Sequence, residues 1–148
     1  MIIEKAEIDH IDNVLEIYNI AKHFMATTGN KNQWINDYPT RELILSGIKE
    51  GKQYILICEN QIVGTFFFSV EEDEAYTKIH KGEWLNVRPY GVVHRLASNR
   101  IYKGVADSCL KWCFEQCGNI RVDTHRDNFI MQNILKKNGY LQCGVIGY

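Results

Sequence analysis

Several features that would assign this chain to other protein classes are scarce or missing. No apolar run approaches the roughly 20 residues of a membrane-spanning helix, and the N-terminus lacks a signal-peptide pattern. The 17 Lys and Arg residues are balanced by 18 Asp and Glu, so a broad basic surface for nucleic acid is not expected. The sequence therefore predicts a cytoplasmic protein that binds neither membranes nor nucleic acid.

The cysteines form no disulfide or metal-binding pattern. There are five, an odd number, without a Cys-x-x-Cys pair, which favours reduced thiols. Cys109, Cys113 and Cys117 are spaced by four and share one helix face, where three thiols could bind a soft metal. Val105 and Leu110 lie in the same stripe, however, and free cysteine packs like a small apolar side chain. Core packing is the preferred interpretation, and no metal is expected.

Signatures of a serine hydrolase are also missing. No Gly-x-Ser-x-Gly elbow occurs. Asp123, Thr124 and His125 supply the residue types of a catalytic triad, but adjacent residues on a strand point to opposite faces and cannot converge. A hydrolase is therefore disfavoured.

The apolar periodicity predicts one α/β domain over residues 1–148. Strands are expected at residues 2–6, 54–58, 62–70, 91–97, 120–124 and 140–145. Helices are expected at residues 10–24, 41–50, 103–117 and 128–138, with a short helix near 75–79. Asp9 and Thr40 are the predicted N-caps of the first two helices. This order combines hairpins with one or two crossovers.

The strand, turn and helix between residues 92 and 117 carry the most chemical information. Free N–H groups and a partial positive charge at a helix N-terminus suit a phosphate. Gly104 and Ala106 leave room at this helix start, and Lys103 and Arg100 add positive charge. Many ordinary helices begin in this way, so the segment by itself does not identify a function.

Together with the following residues, this segment resembles the GNAT acyltransferase superfamily. The family motif, Gln/Arg-x-x-Gly-x-Gly/Ala, matches residues 101–106 at Gly104 and Ala106 but not at Ile101. Asn128 opens the next helix, and Gly139-Tyr140 closes it, as in the family. Five short segments resemble those of a subgroup of small bacterial members and extend the similarity over the whole chain. They are Gln33-Trp34, Tyr38-Pro39, His94-Arg95, Asp123-Thr124-His125 and Asp127-Asn128.

The resemblance implies a central mixed, mostly antiparallel sheet flanked by helices, with two strands splayed around acetyl-CoA. The pantetheine arm would pair with the backbone between Leu96 and Ser98, and Asn128 would contact it from the other wall. The pyrophosphate would bind backbone N–H groups at the helix start. The implied cofactor-binding residues are Leu96, Ala97, Ser98, Lys103, Gly104, Val105, Ala106 and Asn128.

The resemblance also implies direct attack of a primary amine on the thioester. Tyr90 falls near the position where relatives carry a basic residue, and His94 and His125 are the candidate proton acceptors on the two facing strands. The tyrosine that protonates the leaving thiolate in many relatives is replaced by Leu135. A non-catalytic acyl-CoA-binding module or sensor is therefore an alternative, and a protein-interaction domain without cofactor is another.

The acceptor pocket is expected in the N-terminal half, since the cofactor motif uses the C-terminal half. Trp34, Tyr38 and Trp84 are the candidate substrate-binding residues, with core packing as the alternative for both tryptophans. The acceptor, a small molecule or a peptide amine, is not identified. Family members normally continue into a further antiparallel strand, whereas this sequence ends at Tyr148, so a homodimer that covers the sheet edge is a hypothesis.

Overall fold

The computed structural model describes residues 1–147, and Tyr148 lies outside the described residues. A five-stranded sheet in the order β1-β2-β3-β4-β5 forms its centre. The first three strand pairs are antiparallel, and β4 and β5 are parallel. The strands are β1 (Ile2–Lys5), β2 (Gln53–Cys58), β3 (Gln61–Val70), β4 (Gly91–Ser98) and β5 (Ile120–Val122). This confirms the expected mixed, mostly antiparallel sheet.

Helices cover both faces of the sheet. They are α1 (Ile11–Thr27), α2 (Arg41–Lys49), α3 (Val105–Cys117) and α4 (Phe129–Lys137). Successive residues of a strand face opposite sides, so Ile55 packs in the core beneath α1 and α2, whereas Leu56 packs beneath α3. The sheet is therefore sandwiched between α1 and α2 on one face and α3 on the other.

The N-cap predicted for the first helix is wrong, and the N-cap predicted for the second is confirmed. The predicted cap Asp9 lies inside a 3-10 turn, Ile8–His10, so α1 begins at Ile11. Glu7 caps this turn, and its backbone N–H donates to Nδ1 of His10 at 2.9 Å. At α2 the prediction is confirmed, since the hydroxyl of Thr40 accepts from the backbone N–H of Leu43 at 3.1 Å.

The helix after β4 begins two residues later than predicted. Gly104 has a left-handed backbone, with φ of 81°, and α3 starts at the next residue, Val105. Because a right-handed helix cannot include such a residue, Lys103 belongs to the preceding turn. The short helix expected near residues 75–79 is a 3-10 turn at Glu74–Tyr76.

The strand predicted at residues 140–145 is wrong. The segment is irregular, and its one β-bridge is at Val145, which exchanges hydrogen bonds of 2.7 and 2.8 Å with His80. Gly144 explains the close approach, because a Cβ there would lie 2.6 Å from the carbonyl oxygen of His80. Among residues 1–147, β5 is therefore one of the two edge strands of the sheet, with β1 at the other edge, and the homodimer stays a prediction.

The cysteine stripe of α3 faces the sheet. Cys109 and Cys113 are fully buried, and they pack with Val105, Phe66 and Val93 in the core cluster beneath α3. This confirms core packing. In the described part of the chain, no group of three or more His, Cys, Asp or Glu could hold a metal ion. None of the helices between residues 1 and 147 has the length and apolarity needed to cross a membrane.

Candidate active site

Strands β4 and β5 diverge soon after they begin. They pair at Gly91–Ile120, Val92–Arg121 and Val93–Val122. Beyond Val93, β4 continues to Ser98, whereas β5 ends at Val122. The edge of β4 that faces β5 therefore has no strand partner over residues 94–98 among the described residues. A V-shaped cleft opens with its apex at the last pair, Val93–Val122.

A bulge in β4 contributes to this divergence. Thr65 pairs with Ala97 and Phe67 with His94, so Arg95 and Leu96 together lie opposite the single residue Phe66. Arg95 has a φ of 52°, as expected for a strand that bends at an extra residue.

Helix α1 holds the bulge through a buried hydrogen-bond network. The hydroxyl of Tyr18 donates to the carbonyl oxygen of Arg95 at 2.8 Å and accepts from Nε2 of Gln53 at 2.9 Å. Gln53 Nε2 also donates to the hydroxyl of Thr65 at 2.8 Å. Burial raises the pKa of Tyr18 to about 12, so this hydroxyl remains a donor at neutral pH.

The start of α3 faces the open side of the cleft. No side chain among the described residues caps this helix, and a Cβ added to Gly104 would meet nothing within 4 Å. Gly64 lets the helix approach β3, because a Cβ there would lie 2.5 Å from Cγ1 of Val105. The helix thus brings unblocked backbone N–H groups and a partial positive charge toward the cleft.

The cleft is lined by both strands and by three helices. Apolar side chains of α1 and α4 close it, including Phe24, Met25, Ile130, Met131 and Ile134. The predicted cofactor-binding residues in its wall are Leu96, Ala97, Ser98, Val105, Ala106 and Asn128. Lys103 and Gly104, which precede Val105, are exposed.

Asn128 links α4 to the loop after α1. Its side-chain oxygen accepts from the backbone N–H of Met131 at 3.0 Å, which makes it the N-cap of α4. Its side-chain nitrogen donates to Oε1 of Gln33 at 2.9 Å. The expected start of a helix at Asn128 is confirmed.

A second, wider cavity of about 640 Å³ opens beside the cleft. Its wall is the loop before α2 together with Asp123, and Gln33, Trp34 and Asp123 line both cavities. The loop residues in this wall are Gln33, Trp34, Ile35, Asn36, Asp37, Tyr38 and Thr40. Trp34 also packs edge-on against Tyr18, with ring centres 5.6 Å apart.

A chain of ionisable side chains surrounds Asp123, which follows β5. The hydroxyl of Tyr76 donates to Oδ1 of Asp123 at 2.6 Å. Nδ1 of His94 lies 4.0 Å from the same oxygen, and Nε2 of His94 lies 2.6 Å from Oδ2 of Asp73. Burial and the neighbouring Asp123 carboxylate raise the pKa of Tyr76, so this tyrosine stays a neutral donor.

Comparison with known proteins identifies the fold. No protein-family model and no curated protein gives a significant match to the sequence. Among solved structures, a GNAT-family acetyltransferase from Streptococcus agalactiae is 29% identical, with a TM-score of 0.87 over 99% of this chain and 88% of that chain. The chain is a member of the GNAT superfamily.

More distant structures share the GNAT fold. The apo aminoglycoside 6'-N-acetyltransferase AAC(6')-IG from Acinetobacter haemolyticus is 16% identical, with a TM-score of 0.69 over 100% of this chain and 96% of that chain. AAC(6')-Iy, solved with the bisubstrate analogue CoA-S-monomethyl-acetylneamine, is 12% identical, with a TM-score of 0.64 over 99% of this chain and 94% of that chain. At these identities the likeness shows the fold alone.

Six of the predicted site residues of this GNAT protein do not line either cavity: Trp84, Tyr90, His94, Lys103, Gly104 and His125. Tyr90, His125 and Trp84 hold neighbouring groups in place. Tyr90 is buried, and its hydroxyl accepts from the backbone N–H of Asp73 at 2.9 Å. His125 accepts from the backbone N–H of Asp127 at 3.1 Å. The indole N–H of Trp84 donates to the carbonyl oxygen of Tyr76 at 2.9 Å. In these positions they support Asp73, the loop before α4 and Tyr76, respectively.

Sequence reasoning missed Asp123 as a site residue. Asp123 is part of a rejected triad and of a segment that resembles GNAT proteins, but it is not among the predicted site residues, although its position at the end of a strand is a usable signal. The carboxyl ends of strands are where α/β folds place ligand sites. Its partners Tyr76 and His94 are 47 and 29 positions away in the sequence, so no local spacing links them.

Proposed function

We propose that this protein is an acetyl-CoA-dependent N-acetyltransferase that transfers the acetyl group to a primary amine by direct attack. One observation carries the proposal: the pairing of β4 and β5 ends at Val93–Val122, and the cleft beyond it faces the uncapped start of α3. An extended thiol tether can pair with the free edge of β4, while the helix start binds the attached diphosphate.

The cofactor contacts follow from this arrangement. Backbone groups of Leu96, Ala97 and Ser98 pair with the pantetheine arm. Backbone N–H groups of Lys103, Gly104, Val105 and Ala106 bind the pyrophosphate, and Asn128 lines the opposite wall. The thioester, at the end of the tether, then lies at the apex of the cleft, beside Val93 and Val122.

The acceptor amine enters through the second cavity, where Trp34 and Tyr38 form an aromatic wall. Asp123 lines both cavities, and its side chain is 44% exposed. Because an alkyl amine with a pKa near 10.4 is protonated at neutral pH, a carboxylate at this junction favours binding of the ammonium form.

His94 is the group that accepts the proton. Asp73 accepts a hydrogen bond from Nε2 of His94, which leaves Nδ1 as an acceptor toward Asp123. The 4.0 Å gap between Nδ1 and Oδ1 of Asp123 is too long for a direct hydrogen bond and suits an ammonium group or a water between them. Tyr90 and His125 act as supporting residues, through Asp73 and through the loop that leads to Asn128.

A pair of glycine variants tests the cofactor site. Gly104 and Gly118 flank α3, with φ of 81° and 69°, and a Cβ at either would meet nothing within 4 Å. Both substitutions to alanine carry a similar strain of about 1 kcal/mol. We expect G104A to bind acetyl-CoA at least tenfold more weakly, because its Cβ occupies the phosphate approach, and G118A to bind normally. Equal affinity of both variants in a calorimetric titration contradicts this cofactor placement.

Catalysis is tested by CoA release with a panel of primary amines, including polyamines, aminoglycosides and peptides. Turnover with an amine supports the transferase. Binding of acetyl-CoA without turnover of any amine favours the acyl-CoA sensor, and the absence of binding favours a protein-interaction domain.

A further inference from the structure

Thr124 has a buried hydroxyl group in the wall of the cleft. It lies two residues beyond Val122, the last residue of β5, and lines the cleft. Its oxygen is shielded from solvent, and no group within residues 1–147 hydrogen-bonds to it. A buried hydroxyl without a partner is destabilising, so a ligand atom at this point would complete its hydrogen bonding.

The other side-chain hydroxyls in the cleft wall are already engaged. Thr28 donates to the carbonyl oxygen of Phe24 at 2.9 Å, and Ser98 accepts from the backbone N–H of Arg100 at 3.0 Å. Nε of Arg95 is also buried without a partner, but its guanidinium lies over Phe67, 5.0 Å from the ring centre. Among the hydroxyls of the cleft wall in residues 1–147, only that of Thr124 is buried without any hydrogen-bond partner.

Helix α4 supplies no donor to the same region. The side chains that it places in the cleft wall are Ile130, Met131 and Ile134, and none carries an N–H or O–H group. Leu135 stands at the position where a proton-donating tyrosine was expected, and it does not line the cleft. The leaving thiolate would therefore meet an apolar helix on one side and Thr124 on the other.

Building on the proposed transferase function, we propose that the hydroxyl of Thr124 donates a hydrogen bond to the sulfur of coenzyme A and stabilises the thiolate as it leaves. The tether runs along β4 from Ser98 toward Leu96, so its sulfur reaches the apex of the cleft. Thr124 lines the cleft two residues beyond this apex, just after the end of β5. A hydrogen bond to a charged sulfur is stronger than one to the neutral thioester, so it favours the transition state over the bound substrate.

The reaction balances without a proton from Thr124. The ammonium form of the acceptor first loses one proton to His94. The amine nitrogen then forms a bond to the acetyl carbon, and the C–S bond breaks to give the amide and the CoA thiolate. The nitrogen loses a second proton, and the thiolate takes up one proton to become the free thiol. One proton is released to solvent overall, and Thr124 keeps its own throughout.

The test compares T124V, which keeps the shape but removes the hydroxyl, with T124S, which keeps the hydroxyl. CoA is bound to each protein, and the thiol is titrated by its thiolate absorbance. We expect the titration midpoint to lie about one pH unit higher in T124V than in the wild type, and T124S to resemble the wild type. With an accepted amine, kcat should fall about 10- to 100-fold in T124V, with an unchanged KM for acetyl-CoA.

The outcomes separate this inference from the proposed function. Equal midpoints in wild type and T124V, with CoA bound to both, overturn the role of Thr124 and leave the transferase proposal intact. Failure of the wild type to bind CoA overturns both. A purely structural role of Thr124 predicts an altered melting temperature with an unchanged midpoint, which also overturns the inference.

Discussion

The carboxylate of Asp123 contacts groups from three separate parts of the chain. Tyr76 donates to it from the loop after β3, His94 approaches it from β4, and the loop before α2 shares its cavity. Neutral Tyr76 supports the charge of the carboxylate without competing for a proton, because burial and that same carboxylate raise the pKa of the tyrosine. Asp123 can therefore hold an ammonium group beside His94.

Replacing Asp123 by asparagine tests this role. Asparagine keeps an oxygen that can accept from Tyr76, so D123N should fold normally. We expect kcat/KM for the amine to fall about 100-fold or more because the charge that holds the ammonium group is lost, while affinity for acetyl-CoA stays unchanged.

The matched control is D127N, which removes a carboxylate 3.6 Å from Nδ1 of His125 and outside both cavities. D127N should keep most of the activity. Equal losses in the two variants would mean that the general negative charge of this region, rather than Asp123, attracts the amine.

At the residue scale, the sequence predicted those site residues whose roles are local. Asn128 caps the helix that it begins, and Gly104 provides the left-handed turn before α3. The cluster around His94 could not be predicted in the same way. Asp73 and His94 are separated by 21 positions and Tyr76 and Asp123 by 47, so only the folded sheet brings them together.

At the scale of elements, the bulge in β4 is held by α1, a helix that also lines the cleft. Tyr18 of α1 is the buried group that satisfies the carbonyl oxygen of Arg95. The bulge lies in the part of β4 that no longer pairs with β5 and that lines the cleft. A side chain of α1 thereby holds the backbone of the cleft wall.

Replacing Tyr18 by phenylalanine tests this dependence and has a defined pH signature. At neutral pH the variant leaves Arg95 and Gln53 short of a partner, so we expect a loss of about 1–3 kcal/mol in the free energy of unfolding. The pKa of Tyr18 is raised by burial from 10.0 to about 12. Its stabilising contribution is therefore fully present below pH 10 and is lost as the pH rises toward about 12.

The measurement is urea denaturation of wild type and Y18F between pH 8 and pH 11.5. The difference in stability should shrink as the pH rises, since the phenylalanine variant has no proton to lose at this position. A difference that stays constant over this range would show that ionisation of Tyr18 is not linked to unfolding.

Elements with a clear apolar period were predicted well, and the exceptions have local causes. Residues 140–145 have the apolar alternation of a strand, yet they do not pair with β5. Residues 143–145 approach the loop at His80 instead. The 3-10 turn before α1 arises from the reciprocal contact of Glu7 with His10. Neither contact has a periodic signal in the sequence.

At the scale of the whole molecule, the cleft lies between the main sheet, β1–β4, and the less firmly attached β5 and α4. Strands β1–β4 form a continuous antiparallel sheet with helices on both faces, whereas β5 is joined to β4 by only three residue pairs. Helix α4 contacts α3 through Asn138, whose side chain donates to Asp107 at 2.7 Å. A ligand that spans the cleft would therefore tie β5 and α4 to the main sheet.

Acetyl-CoA should stabilise the protein because it ties β5 and α4 to the main sheet. At 100 times its dissociation constant it should add about 2.7 kcal/mol to the free energy of unfolding, which raises the melting temperature by roughly 5–10 °C for a chain of this size. Hydrogen exchange should slow most at the start of α3 and in β5 and α4. Pantetheine, which lacks the diphosphate, should protect β5 and α4 but not the start of α3. Uniform protection by both ligands would mean that the helix start does not bind the phosphate-bearing part of the cofactor.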